Sequence, residues 1–178
     1  ENGLMRGFQL WINLPAVNKM DKPEYQEYLA DAFPVIDSTD YSVKVLIGRF
    51  AEAESPIVDE DTEVSCFDVQ LHKGKHFQYK SPIENHTFFY IFEGSVYIDG
   101  KDVQPNTLIT VAAIDNPADF IAGEQGARFL LVSGKPINEP VVQYGPFVMN
   151  SREEIDQAMR DYQSNNFVRD RAWTNREN

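Results

Sequence analysis

Three histidines and a single cysteine are the side chains best suited to metal binding or nucleophilic chemistry in these 178 residues, and their spacing suits neither. His72 and His76 are four apart, but Lys73-Gly74 between them reads as a turn, so they do not share a face as they would on a helix. All three read as strand-end histidines, facing water or hydrogen-bonded. His76 and His86 are expected to flank the mouth of a barrel and are the candidate residues of a small-molecule pocket. Cys66 lies in a strand-like run with no basic neighbour to stabilise a thiolate, so it reads as a buried, inert thiol in a reducing compartment. The acidic stretch Ala51–Thr62 lacks the ligand spacing and glycine of a calcium loop and reads as solvated. No G-x-S-x-G elbow or phosphate loop occurs. Catalytic residues, bound cofactors and metal ligands are therefore all expected to be none in this chain.

A net charge of −12 opposes binding to a phosphate backbone. Arg169, Arg171 and Arg176 are interleaved with Asp170 and Glu177, so no direct nucleic-acid contact is expected. No apolar run approaches the roughly 20 residues of a membrane helix, and no secretory signal pattern opens the sequence. No membrane association and a cytoplasmic location follow as expectations.

The elements that must position these groups centre on His86–Gly100, HTFFYIFEGSVYIDG. Thr87–Phe92 is almost wholly aromatic or β-branched without polar alternation, which predicts a strand covered on both faces. Glu93-Gly94 and Asp99-Gly100 offer two hairpin turns. Strands are predicted at Tyr41–Phe50, with Val43, Val45 and Ile47 on one face, at Glu63–His72, Thr107–Ala113 and Asp119–Ala122, and at Arg128–Ser133. This rhythm predicts an all-β barrel. Ser151-Arg-Glu-Glu154 matches a capping box opening one helix with Ile155, Ala158, Met159 and Tyr162 on its apolar stripe. Before the barrel, Met5–Leu14 alternates like a strand with nothing ahead of it to pair with, so it is a candidate edge for a homodimer. Tyr25, Tyr28 and Leu29 are spaced for a short helical turn and packing. The expected organisation is a strand and connection over 1–38, the barrel over 39–149, a helix over 150–166 and a tail over 167–178 carrying Trp173.

A small barrel with a glycine-turned hairpin suggests the cupin class, a jelly-roll of the double-stranded β-helix type. With the glycine of its first metal motif placed on Gly94, Thr87 falls where the ligand glutamate belongs, and Lys80–Ile83 where the histidine pair belongs. The best match to the second motif, at Pro105, puts Thr110 at the histidine position. Hydroxyls and a lysine do not replace imidazole and carboxylate around iron.

Two further runs identify a family resemblance. GLMRGFQLWINLP at Gly3–Pro15, followed by KMDKPEYQ at Lys19–Gln26, resembles the segment joining the two cupin domains of the pirin family. The run from Gly126 to Gln163 is similar to that family's C-terminal signature. The resemblance implies a bicupin whose N-terminal domain holds iron through three histidines and a glutamate, and whose C-terminal domain has lost its ligands. It implies quercetin 2,3-dioxygenase activity, with a flavonol-like ligand, for the full-length protein. This chain is expected to be a truncated C-terminal part that is inactive alone, with iron confined to the absent N-terminal domain. The alternative is a non-catalytic regulatory cupin with a protein partner, of the transcription co-regulator type.

Overall fold

The computed structural model describes residues 7–111 and 117–169, which fall into two compact units. One takes 7–25 and 137–169; the other takes 26–111 and 117–136. The division differs from the expected boundaries near 38 and 149, and a side chain explains why. The Glu139 carboxylate accepts the Ala16 amide and the Asn150 side-chain amide, each at 2.8 Å, which ties the early connection to the C-terminal residues.

The larger unit holds β1 (Val35–Asp37), β2 (Tyr41–Ile47), β3 (Arg49–Phe50), β4 (Ala53–Glu54), β5 (Ser65–Leu71) and β6 (His76–Tyr79). It continues with β7 (His86–Ile98), β8 (Lys101–Val103), β9 (Thr107–Val111) and β10 (Ala118–Gly134). Eight of these form one sheet in the order β1-β2-β5-β10-β7-β8, with β6 also on β10 and β9 also on β7, and every pairing is antiparallel. The fold is all-β, a jelly-roll barrel. Its interior is aromatic: Phe67, Phe77, Phe89, Phe120 and Phe129 are each no more than 1% exposed. Phe120 sits 4.4 Å from Phe89 and 5.4 Å from Phe129, centroid to centroid. Each such ring removes about 150–250 Å² from water, so this cluster dominates the unit's stability.

Where a hairpin is expected at Glu93-Gly94, the chain bends without reversing, and β7 runs on as a single strand. Gly94 has φ +63°, and a Cβ there would lie 2.0 Å from the Gly126 carbonyl oxygen. The two long strands β7 and β10 nest at this corner, and the register slips between Ala122 and Ala127. The glycines thus let two paired strands turn together, as bulges do at barrel corners. The reversal at Asp99-Gly100 forms as expected, with positive φ at both residues joining β7 to β8. β10 likewise merges the two expected strands Asp119–Ala122 and Arg128–Ser133.

Two expectations about faces change. Ile47 does not follow Val43 and Val45 inward, because a bulge after Val45 pairs Ile47 with Cys66 and sends it to a second cluster beside Val64 and Val132. On β7, Thr87, Phe89 and Ile91 are buried, whereas Phe88, Tyr90 and Phe92 are only half-buried.

In the smaller unit, β11 (Val142–Tyr144) and β12 (Phe147–Met149) form a hairpin followed by α1 (Arg152–Gln163). The capping box is present: Ser151 Oγ accepts the Glu154 amide at 3.2 Å, and Glu154 Oε2 accepts the Ser151 amide at 3.0 Å. Asn165, at φ +59°, ends the helix in the left-handed region. Ile155 and Ala158 are buried, but Tyr162 is 63% exposed and meets Phe147 at 6.0 Å. The described part of Met5–Leu14 belongs to no strand, and Tyr25 and Leu29 are largely exposed, with a 3-10 turn only at Ala30–Ala32. Met5, Ala112, Ala113, Asp115, Arg171, Trp173 and Arg176 lie outside the described residues.

Candidate functional site

The beginning of β7 is where the sequence places lost metal ligands, and the structure shows what stands there instead. Thr87 points into the barrel, 4% exposed, beside Ser133 of β10, 1% exposed, which is its partner across the ladder. Thr87 Oγ1 donates to Ser133 Oγ at 2.9 Å, and Asn85 Nδ2 donates to the same oxygen at 3.1 Å. The Ser81 hydroxyl lies 2.5 Å from that of Thr87. Tyr79 lies nearby; burial pushes its phenol up, and the neighbouring Ser133 hydroxyl pulls it partly back. The result is a buried set of neutral groups that satisfy one another, the condition under which polar side chains persist in a core.

Thr110 departs from its expected place. Cross-strand partners share a face, and Thr110 pairs with outward-facing Phe88, while Val111 pairs with Thr87. The inward neighbour of Thr87 is therefore an apolar Val111, one residue on. A shift of one residue moves a side chain to the opposite face, and the motif spacing alone did not register it.

Ile83, Glu84, Asn85, His86, Thr87, Phe88, Thr110 and Val111 line a cavity of about 450 Å³ at this end of the unit. His86 belongs to it. His76 does not: it pairs with Ile121 near one end of β10, whereas His86 pairs with Gly134 at the other. His76 Nδ1 lies 3.3 Å from Asp119 Oδ1. His72 Nδ1 is 3.1 Å from the Thr39 carbonyl oxygen. Cys66 is buried beside Val64 and Val132, and burial, with the Asp68 carboxylate, pushes its thiol up to about 11. Sequence reasoning missed Ser133 and Asn85. Their signal lay in long-range pairing, since Ser133 meets Thr87 across 46 residues.

Among the described residues, no group of three or more His, Cys, Asp or Glu converges as metal ligands would. The chemistry of the hydroxyl set does not fit the iron of the cupin class, because mutually bonded neutral hydroxyls supply neither imidazole nor carboxylate. Among the same residues, no helix is long and apolar enough to cross a membrane.

The smaller unit has a different kind of surface. Trp11, Ile12, Leu14, Met20, Phe147 and Phe167 border a groove of about 470 Å³. Trp11 is 67% exposed and Met20 59%.

Comparison with known proteins gives a consistent picture. Residues 66–168 match the family model described as the pirin C-terminal cupin domain. A Pseudomonas aeruginosa protein provisionally named a quercetin 2,3-dioxygenase is 39% identical over 166 residues, covering 90% of this chain and 58% of that protein. Human pirin is 33% identical over 173 residues, 94% of this chain and 59% of its own. The crystal structure of a quercetin 2,3-dioxygenase from Acinetobacter baumannii superposes with a TM-score of 0.79 at 29% identity, covering 88% of this chain and 55% of that one. The chain thus spans less than two thirds of the length of each of these relatives.

Proposed function

The chain belongs to the pirin family through its C-terminal cupin domain, and from that premise we propose that the whole protein is an iron-dependent, quercetin 2,3-dioxygenase-like oxidoreductase whose metal is held outside these residues. The oxygenase part of this reading is carried by the similarity to dioxygenase-named relatives, and the placing of the metal outside these residues by the Thr87–Ser133 hydroxyl set at the position of the metal motif. Oxygen chemistry on a flavonol calls for a redox metal with open positions, and this set does not fit one, so no step of the reaction is assigned to the barrel. The 178 residues alone are then inactive.

Their role is structural. The groove bordered by Trp11, Met20 and Phe167 supports a contact with the remainder of a longer polypeptide, since exposed apolar area of this kind is the ordinary mark of an interaction surface. The same surface favours a second reading, a regulatory cupin that binds a protein partner without turnover. Quercetin consumption, assayed on this chain and on the longer gene product, separates them. The first reading expects turnover only in the longer protein, abolished by chelation and restored by ferrous iron. Turnover by the 178 residues would overturn it, and binding without turnover in the longer protein would favour the regulatory reading.

A further inference from the structure

The cavity at the start of β7 has no part in the oxygenase reading. Its lining comes from three places that the fold brings together: the loop Ile83–Asn85, the first residues of β7 and the end of β9. At about 450 Å³ it falls within the range of roughly 300–1,000 Å³ typical of small-molecule sites. We propose that it binds a neutral polyol, a monosaccharide-like ring, without a metal.

Charge decides the class of ligand first. Among the described residues, no lysine or arginine lines the cavity, which disfavours an anion. The one carboxylate among the described lining residues, Glu84, already has Lys135 Nζ at 3.7 Å, which leaves little to hold a cation. The polar groups of the described lining with hydrogen bonds to spare are Asn85, His86 and Thr110, each of which can both donate and accept, whereas the Thr87 hydroxyl is already bonded to Ser133 and Ser81. Hydroxyls also donate and accept through one atom, so a ligand bearing several of them is the natural complement. Phe88, which shares the outer face with Thr110, and Ile83, 68% exposed, supply apolar surface for the C–H face of a ring.

The buried network behind the cavity supplies the second observation. Valine and alanine would fill the places of Thr87 and Ser133 without any desolvation cost, yet these positions carry hydroxyls at 4% and 1% exposure. Ser133 holds one amide hydrogen of Asn85 at 3.1 Å, which leaves that side chain its second N–H and its carbonyl oxygen. Thr87 and Ser133 thus act as positioning residues that fix the Asn85 amide in the cavity wall. This inference does not rest on the oxygenase reading, and a chain with no turnover would still bind.

The test is a titration of the ¹⁵N-labelled 178-residue chain, followed by amide chemical shifts, with D-glucose, D-galactose, D-mannose and myo-inositol as probes and catechol as the aromatic control. The expected result is saturable shifts at Asn85, His86, Thr87 and Thr110 with at least one polyol, unchanged by EDTA. Asn85→Ala should weaken that binding by about tenfold, the equivalent of one good hydrogen bond to ligand. Thr110→Val, on the outer face, should weaken it less and leave the fold intact. Absence of saturation with every polyol, saturation with catechol alone, loss of binding in EDTA, or equal affinity in both variants would each overturn the proposal.

Discussion

The interior of the barrel unit and the surface of the smaller unit use the same kinds of residue to opposite ends. Phe89, Phe120 and Phe129 are fully buried against one another, while Trp11 is 67%, Met20 59% and Phe167 40% exposed. The barrel completes its own core, down to hydroxyls that satisfy each other. The smaller unit closes a hairpin and a helix with Ile155 and Ala158 buried, and leaves its larger apolar groups in water. The difference separates what this chain buries in order to fold from what it leaves exposed.

The contrast predicts large costs on one side and almost none on the other. Phe129→Ala should lower the stability of the barrel by about 3–5 kcal/mol in denaturant unfolding, since it opens a cavity at the centre of the aromatic cluster. Gly94→Ala should cost roughly 3 kcal/mol, through its left-handed φ and the backbone oxygen that a Cβ would meet. Ser133→Ala strands Thr87 and Asn85 and should cost about 1–3 kcal/mol. Ser151→Ala removes the helix cap for about 1 kcal/mol. Trp11→Ser with Met20→Ser should change the stability of this chain by no more than about 0.5 kcal/mol, yet weaken in a pull-down the contact proposed above for that groove. Destabilisation by that surface pair comparable to that of Phe129→Ala would erase the contrast.

Cys66 adds a pH dependence on the barrel side. Its folded pKa is raised to about 11 from 9.0, so between those values the unfolded thiol ionises while the folded one keeps its proton. Unfolding then releases a proton, and stability should fall as pH rises from 9 toward 11 and be unaffected by this group below that window. Cys66→Ala should flatten the decline in chemical denaturation measured across that range.

The parts of this structure that could be read from the sequence are those fixed by local pattern. Phe67, Val69 and Leu71 alternate inward as their period implies, Ser151 and Glu154 close their capping box, and Asp99-Gly100 turns a hairpin. What escaped depends on partners far along the chain. Glu93-Gly94 reads as a reversal until Gly126 is seen against it, and Ile47 reads as inward until Cys66 shifts the register. Thr87 stands where the sequence reading places a ligand position, but Ser133 and Asn85, its hydrogen-bond network there, carry no motif. Phe8–Leu14 alternates as a strand should, and its local pattern cannot say that no ladder receives it among the described residues.

The most direct measurement of the central claim is the metal content of the purified 178-residue chain, by elemental analysis alongside its intact mass, after refolding with excess ferrous iron. A mass near 20.4 kDa with no stoichiometric iron is the predicted result, because hydroxyls bonded to one another at the start of β7 offer no ligand set. One iron per chain at that mass would contradict the account and return the oxygenase chemistry to this barrel.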